Sequence, residues 1–138
     1  MSRINSFLTF NGQCREAMTF YQDSLGGELV LQTVGESPMA GQFPEFMQNL
    51  ILHSTLAKDD LILMASDLGE QEGLVGGNMV SMSITCDSEA QTYAYYENLS
   101  AGGKPTHPVH AFFAGLMGRL TDKYGLNWMF YYDRTGER

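Results

Sequence analysis

The sequence repeats part of itself at an offset of 76 residues. A serine followed by one apolar residue and a Gly-Gly pair occurs at residues 24–27 and again at 100–103. The same offset aligns three further pairs of similar residues, Thr9 with Thr85, Asn11 with Asp87 and Phe20 with Tyr96. A chain that carries two copies of one pattern is expected to fold as two similar units. No single motif in the sequence constrains the architecture as strongly.

Each half of the chain predicts the same order of elements. A strand is followed by a short polar residue, Asn11 or Asp87, whose side chain we expect to cap a helix. Each helix has apolar residues at helical spacing and ends at a Gly-Gly pair. Three apolar runs then predict strands, at residues 28–34, 49–57 and 61–66 and at 104–109, 112–120 and 127–132. The sequence therefore predicts a single α+β domain of two βαβββ modules, residues 1–67 and 79–138, joined by a glycine-rich linker at 68–78.

Several short motifs accompany this order of elements. They are Phe-Asn-Gly at 10–12, Glu-Ala at 16–17, Phe-Tyr at 20–21, Leu-Met-Ala-Ser-Asp at 63–67, Leu-Ser-Ala-Gly-Gly at 99–103 and Asp-Lys-Tyr-Gly-Leu-Asn-Trp at 122–128. With them the chain resembles the vicinal oxygen chelate superfamily of glyoxalase and bleomycin-resistance proteins, and within it the PhnB-like branch. The resemblance implies a glyoxalase-like fold, with a mixed sheet curled around a cleft and the helices on its outer face. It implies no single chemistry, because one fold supports many functions.

Alternation along the strands then predicts which side chains line the cleft. We interpret the more polar face of each strand as the cleft face, which on the strand at 49–57 carries Asn49, Ile51, His53 and Thr55. For Ser83 and Thr85, bulk solvent is an equally good interpretation, since antiparallel sheets commonly leave one face wet. The predicted ligand-binding residues are Asn5, Phe7, His53, Ser81, Phe113, Arg119, Met129 and Tyr131.

The resemblance also implies where a metal would be held. Catalytic members of the superfamily use His, Glu or Gln side chains on the first, fourth, fifth and eighth strands. The matching positions here are Asn5 or Ser6, Leu63 or Met64, Ser81, and Met129. Thioether and aliphatic side chains do not hold a hard or borderline dication. We therefore expect neither a metal nor another cofactor.

Three histidines are the remaining candidates for chemistry. His107 and His110 have a spacing that some chelating loops use, but Pro108 favours an extended backbone that directs the two rings apart. His53 lies in the middle of a predicted strand on the cleft face and is the one candidate catalytic residue. A histidine that is satisfied by a neighbouring backbone or hydroxyl group is the simpler interpretation of His53.

Two further features concern ligands and partners. Arg119 is the only formal charge on the predicted cleft strands, and it could meet an anionic ligand group or form a surface salt bridge. Residues 35–47 form a segment too long for a simple hairpin, which is typical of a lid or a binding loop. Its adaptable apolar side chains are Met39, Phe43, Phe46 and Met47. Because such a surface suits contact with a second subunit, we expect a homodimer.

Charge and composition exclude several classes of function. With 8 basic and 16 acidic side chains the net charge is −8, which opposes binding to nucleic acid or to an anionic membrane. No apolar run has the length of a membrane span or a signal peptide, and two cysteines fit reduced thiols in a cytoplasmic protein. Five acidic residues of the loop and linker are expected to form a solvated exterior: Glu36, Glu45, Asp67, Glu70 and Glu72.

The sequence favours a small-molecule-binding protein of the glyoxalase and bleomycin-resistance type, with no turnover established. Relatives in the PhnB-like branch carry a methyltransferase label. No glycine-rich turn here joins a strand to a helix ahead of an acidic residue suited to a ribose, so the sequence does not support that label. The alternatives are a metal-dependent or histidine-assisted lyase, isomerase or dioxygenase of the same superfamily, and an interaction module whose cavity is filled.

Overall fold

The order strand, helix and three strands occurs twice in the structure, a computed structural model that describes residues 2–69 and 73–136. The two copies are separate compact units, Met1–Val75 and Gly76–Arg138. The elements of the first unit are β1 (Ser6–Thr9), α1 (Cys14–Leu25), β2 (Glu28–Thr33), β3 (Ile51–Lys58) and β4 (Leu61–Ser66). Those of the second unit are β5 (Met82–Thr85), α2 (Glu89–Ser100), β6 (Lys104–Phe112), β7 (Gly115–Thr121) and β8 (Asn127–Asp133). The predicted α+β class and the two βαβββ modules are confirmed.

Each unit contains one four-stranded mixed sheet. The strand orders are β1-β4-β3-β2 and β5-β8-β7-β6. The first strand of each unit runs parallel to the last, and the other neighbours are antiparallel. Each helix packs on one face of its own sheet, and we call the opposite face the open face. Within the described residues, neither helix has the length and apolarity needed to cross a bilayer.

The core of the first unit lies between α1 and its sheet. Four side chains of α1 are completely buried, Cys14, Ala17, Met18 and Tyr21, and their spacing is that of one stripe of an amphipathic helix. The sheet contributes the buried residues Leu8, Ile51, Ser54, Leu56, Leu63 and Ala65. Removing the apolar side chains among these residues from water is the main driving force for folding of the unit.

The second unit repeats this arrangement with larger side chains. The buried stripe of α2 is Thr92, Tyr95, Tyr96 and Leu99. Tyr96 meets Phe130 of β8 edge to face, with ring centroids 5.5 Å apart. Other buried residues of the sheet are Ile84, Leu116, Leu120, Trp128 and Tyr132.

Neither helix begins as predicted. The N-cap of α1 is Gln13, whose side chain makes no capping hydrogen bond. The N-cap of α2 is Ser88, and its hydroxyl accepts a hydrogen bond from the Gln91 N–H at 3.0 Å. The prediction that Asn11 and Asp87 cap the helices is therefore wrong. Both helices begin further along the chain than predicted, so a different residue occupies each N-cap position.

Asp67 takes the place of a local cap in the first unit. Its Oδ1 accepts hydrogen bonds from the N–H groups of Gly12 and Cys14 at 2.9 and 3.0 Å, and its Oδ2 accepts one from Ile51 at 2.9 Å. The residue is buried, so the prediction that it belongs to a solvated exterior is wrong. This carboxylate joins the end of β4 to the start of α1 and the start of β3. Glu36 and Glu45 are exposed as predicted, and Glu70 and Glu72 lie outside the described residues.

A β-bulge changes the predicted face of one residue in β3. Gln32 pairs with His53, whereas the next residue, Thr33, pairs with Ile51, so Leu52 is an extra residue in the ladder. The bulge moves Ile51 to the helix side of the sheet, where it is 1% exposed. The prediction that Ile51 lines the cleft is therefore wrong, while His53 keeps its place on the open face.

The predicted strand at 112–120 is divided in the structure. Phe112 ends β6 and Gly115 begins β7, so Phe113 lies in the connection between them. Phe113 is 99% exposed. Its predicted position on a cleft strand is wrong, because the chain reverses direction at this point.

Strand β6 lies at one edge of the second sheet, and its pairing with β7 is irregular. Its pairing with β7 shifts between Lys104 and His107 and again between His107 and His110. Because each irregularity adds a residue on β6, His107 and His110 both lie on the open face, opposite Arg119 and Met117. A regular strand would place residues three apart on opposite faces. The expectation that the two rings are directed apart is therefore wrong, because both side chains lie on the same face of the sheet.

Candidate functional site

The open face of the second sheet brings together four of the predicted ligand-binding residues, Ser81, Arg119, Met129 and Tyr131. Residues directly opposite each other on paired strands have side chains on the same face, so the register defines rows across the sheet. One row is Ser83, Met129, Arg119 and His107. The next row is Thr85, Tyr131, Met117 and His110. Ser81 lies just before β5, and alternation places it on this face beside the first row.

A pocket of about 290 Å³ lies at the Arg119 end of this face. Its polar lining consists of Asn78, Ser81, Thr106, His107, Arg119, Thr121 and Asn127. Hydroxyl, imidazole and guanidinium groups can all donate hydrogen bonds. The pocket can therefore accommodate a group that accepts several hydrogen bonds.

Arg119 is exposed, and among the residues that the structure describes its guanidinium makes no ion pair or side-chain hydrogen bond. The prediction that Arg119 is the only formal charge on this face is wrong. Lys104 lies in the row of Thr121, and Asp133 lies opposite Gly115. Asp133 is two rows from Arg119, a separation of roughly 13 Å along the strands. The second unit as a whole has five basic and six acidic side chains, against three and ten in the first.

A tyrosine on the core side fixes the backbone beneath Arg119. The Tyr96 hydroxyl lies 2.9 Å from the carbonyl oxygen of Arg119 and 3.1 Å from that of His107. Burial raises the pKa of Tyr96, so the hydroxyl keeps the proton that it donates.

Asn127 has a structural part in the pocket. Its amide donates hydrogen bonds to the carbonyl oxygens of Gly77 and Val80 at 2.9 and 3.0 Å, and its Oδ1 accepts one from the Thr121 hydroxyl. These bonds hold the segment that leads to Ser81 against the start of β8.

Aromatic side chains occupy the other end of the open face. The ring centroid of Phe112 is 5.5 Å from that of Tyr131 and 5.3 Å from that of Phe113. Burial, followed by the nearby Asp133 carboxylate, raises the pKa of Tyr131, whose hydroxyl lies 3.4 Å from Asp133 Oδ2. Phe113 thus joins this aromatic cluster from the β6–β7 connection.

The other predicted ligand-binding residues, Asn5, Phe7 and His53, belong to the first unit. Phe7 lies on the open face of its sheet in a row with Met64, Thr55 and Val30. Asn5 is exposed just before β1. His53 is exposed on β3, and within the described chain its ring has no ion pair or hydrogen-bond partner. Gln32 lies opposite His53 in the ladder, but among the described residues no hydrogen bond orients the ring as acid–base catalysis requires.

The residues at the superfamily's metal positions do not fit a metal. Leu63 is buried on the helix side of its sheet, and the Ser6 hydroxyl donates a hydrogen bond to the Ile62 carbonyl. Ser81 and Met129 supply a hydroxyl and a thioether in place of imidazole or carboxylate. Across residues 2–69 and 73–136, no group of three or more His, Cys, Asp or Glu side chains is placed to hold an ion.

The long segment at residues 35–47 forms one wall of a second pocket. This cavity of about 450 Å³ lies within the first unit, and His53 is not part of its lining. Its apolar walls are Phe43, Phe46, Met47, Leu50 and Leu68, and its polar residues are Asn11 and Asp67. The Gln48 amide ties the segment together by donating to the carbonyl oxygens of Ala40 and Phe43 at 2.9 and 3.0 Å.

Both cysteines are buried free thiols. Burial raises the pKa of Cys14 to about 11 and also raises that of Cys86. Since the thiolate is the nucleophile, neither side chain is suited to covalent chemistry near neutral pH.

Comparison with known proteins gives a family match over most of the chain. A family model described as 3-demethylubiquinone-9 3-methyltransferase matches residues 2–131. Protein PA1353 from Pseudomonas aeruginosa is 32% identical, and its crystal structure matches with a TM-score of 0.83 over 96% of this chain and 98% of that one.

Two more distant structures share the fold. A putative 3-demethylubiquinone-9 3-methyltransferase, PhnB protein, from Bacillus cereus is 22% identical, with a TM-score of 0.70 over 95% of this chain and 99% of that one. A glyoxylase/bleomycin resistance protein/dioxygenase domain from Frankia sp. EAN1pec is 18% identical, with a TM-score of 0.61 over 99% and 96%. The chain therefore belongs to the 3-demethylubiquinone-9 3-methyltransferase family of PhnB-like proteins and has the fold of the glyoxalase and bleomycin-resistance proteins.

Proposed function

We propose that this protein binds a small molecule through an anionic group, on the open face of its second sheet. The observation that carries the proposal is the exposed Arg119 guanidinium, which lines a pocket of about 290 Å³ and has no carboxylate partner among the described residues. A guanidinium forms strong, bidentate hydrogen bonds with carboxylate or phosphate groups.

The surroundings of Arg119 support an anion over a cation. His107 lies opposite Arg119 in the ladder, and the hydroxyl groups of Ser81 and Thr106 line the same pocket. All of these groups can donate a hydrogen bond to an oxyanion. Asp133, the carboxylate on the strands of this face, lies two rows away.

The proposed function is binding without turnover. A catalytic histidine is normally held by a partner that orients its ring. Neither His53 nor His107 has a side-chain partner in the part of the chain that the structure describes. The methyl transfer named in the family's description is therefore not part of the proposal.

The test is a titration of the purified protein with acetate, succinate and inorganic phosphate. Binding is followed by NMR of protein labelled with ¹³C at the methionine methyl groups, because Met129 lies opposite Arg119 in the register. Loss of a hydrogen bond to a charged group costs about 1.5–3 kcal/mol, so Arg119→Met should weaken binding roughly 10- to 100-fold.

Arg15→Met is the matched control for the change in charge. Arg15 is an exposed arginine of α1 in the first unit, and its replacement should leave the affinity unchanged. If the Arg119→Met variant binds all three anions as tightly as the parent protein, or if none of the anions shifts Met129, the proposal is wrong.

We also propose that the protein is a cytoplasmic homodimer, in which exposed apolar groups of the long segment meet a second copy. Phe46 is 83% exposed and Met39 is 38% exposed, and burying such side chains favours association. Sedimentation equilibrium of the parent protein and of Phe46→Ser would test this assembly. A monomeric parent protein at high concentration would contradict it.

A further inference from the structure

We propose that the ligand of the second sheet is an aromatic carboxylate, with its carboxylate at Arg119 and its ring against Tyr131 and Phe112. This inference rests on the proposed function, to which it adds the chemical class of the ligand. It follows from the order of side chains along the open face, which changes from cationic and polar at one end to aromatic at the other.

The register gives the distance between the two ends. Arg119 and Tyr131 lie in adjacent rows, since Arg119 pairs with Met129 and Met117 pairs with Tyr131. Two residues along a strand span roughly 6.8 Å. A molecule whose carboxylate and ring centre are about that far apart can therefore reach both rows at once.

The methionine side chains beside Arg119 and Tyr131 suit an apolar ligand body. Met129 and Met117 occupy the central strands of the adjacent rows, and both are half-buried. Methionine is flexible and polarizable and makes favourable contacts with aromatic rings. Tyr131 shares the row of Met117, and Phe112 lies one row further from Arg119. The two ring centroids are 5.5 Å apart at an angle of 45°, so a third ring can pack against them in the offset or edge-on geometries that aromatic groups prefer.

Charge determines the orientation of the ligand. Arg119 and Lys104 lie at one end of the face, and the Asp133 carboxylate lies at the aromatic end beside Tyr131. An anion at the aromatic end would be repelled by Asp133, whereas an anion at the opposite end is attracted. The carboxylate of the ligand therefore points toward Arg119.

The pocket of the first unit does not offer the same recognition. Its polar lining is Asn11 and the Asp67 carboxylate, and its unit carries ten acidic side chains against three basic ones. Both features disfavour a carboxylate ligand. Met47 lines this pocket, so its methyl signal distinguishes binding there from binding on the second sheet.

The experiment compares three probes of the parent protein, namely 4-phenylbutyrate, butyrate and 4-phenylbutan-1-ol. In extended 4-phenylbutyrate the carboxylate and the ring centre are roughly 7 Å apart, which matches the spacing of adjacent rows. We expect 4-phenylbutyrate to bind about tenfold or more tightly than either of the other probes, because only it satisfies both ends of the face. Its ring should shift the methyl signals of Met117 and Met129 and leave that of Met47 in place.

Variants separate this inference from the proposed function. Phe112→Leu should weaken 4-phenylbutyrate roughly fivefold and leave butyrate unchanged. Phe20→Leu is the matched control, because Phe20 is half-buried on α1 of the first unit and lines neither pocket. Equal affinity for butyrate and 4-phenylbutyrate, both lost in Arg119→Met, would overturn the aromatic ligand and retain the anion site. Binding of 4-phenylbutyrate that survives Arg119→Met, or that shifts Met47 alone, would overturn both.

Discussion

Replacing Asp67 by asparagine should destabilise the first unit far more than the loss of one surface charge would. Asp67 accepts three backbone hydrogen bonds, two through Oδ1 at 2.9 and 3.0 Å and one through Oδ2 at 2.9 Å. An asparagine has one acceptor oxygen, so it can keep the pair from Gly12 and Cys14 or the bond from Ile51, but not both. If the asparagine keeps the two bonds from Gly12 and Cys14, its NH₂ group faces the N–H of Ile51, and two hydrogen-bond donors meet.

The cost can be worked from these bonds. A hydrogen bond to a charged group contributes about 1.5–3 kcal/mol, and a buried donor left without a partner loses its full desolvation energy. Ile51 is 1% exposed, so water does not replace the lost acceptor. The remaining two bonds become neutral and weaker. We therefore expect Asp67→Asn to lower the free energy of unfolding by about 2–4 kcal/mol.

Urea denaturation measures this change. Far-ultraviolet circular dichroism follows both units, whereas the fluorescence of Trp128 reports on the second unit alone. Asp23→Asn is the matched control, because Asp23 is exposed on α1 and its replacement should change stability by less than about 0.5 kcal/mol. If Asp67→Asn is no less stable than the Asp23→Asn control, the account of Asp67 as the cap of α1 and β3 is refuted.

Two further predictions concern stability. Because burial raises the pKa of Cys14 from 9.0 to about 11, the folded state holds the thiol proton more tightly than the unfolded chain. The stabilisation from this difference is complete below pH 9 and is lost by pH 11. Urea titrations should show the free energy of unfolding falling by roughly 2–3 kcal/mol over this range, a fall that Cys14→Ala should lack. Equal pH profiles for the two proteins would contradict this. A Cβ at Gly103 would overlap the carbonyl oxygen of Thr121, so Gly103→Ala should cost about 1–3 kcal/mol or more. Gly41→Ala meets no atom within 4 Å and should be nearly neutral in the same thermal melts, and equal melting temperatures for the two alanine variants would count against the clash.

Much of the fold could be predicted from the sequence because its signals are local. The Gly-Gly pairs mark where the helices end, and the chain leaves them through Gly26 and Gly102 with φ of 83° and 75°. Apolar spacing located both helices and most strands. Errors arose where one inserted residue changes the face of its neighbours, as Leu52 does for Ile51, or where a strand reverses direction, as at Phe113.

The part of Asp67 could not be read from its sequence context. Its three donors lie 55, 53 and 16 residues away along the chain, and only the folded sheet brings them together. Part of the candidate site could be predicted from the sequence, because alternation along the strands places Arg119, Met129 and Tyr131 on one face. His107 was assigned no place on that face because a bulge, which strict alternation cannot represent, puts it opposite Arg119.

The irregular edge strand β6 also limits how the second unit can associate with other chains. An exposed sheet edge normally invites a further strand, because its backbone donors and acceptors are unpaired. In β6 the residues Pro105 and Pro108 have no N–H to donate, and two bulges break the even spacing that an added strand would need. A protein built this way resists fibre-like growth from that edge, and any second copy that docks beside β6 must be held by side chains.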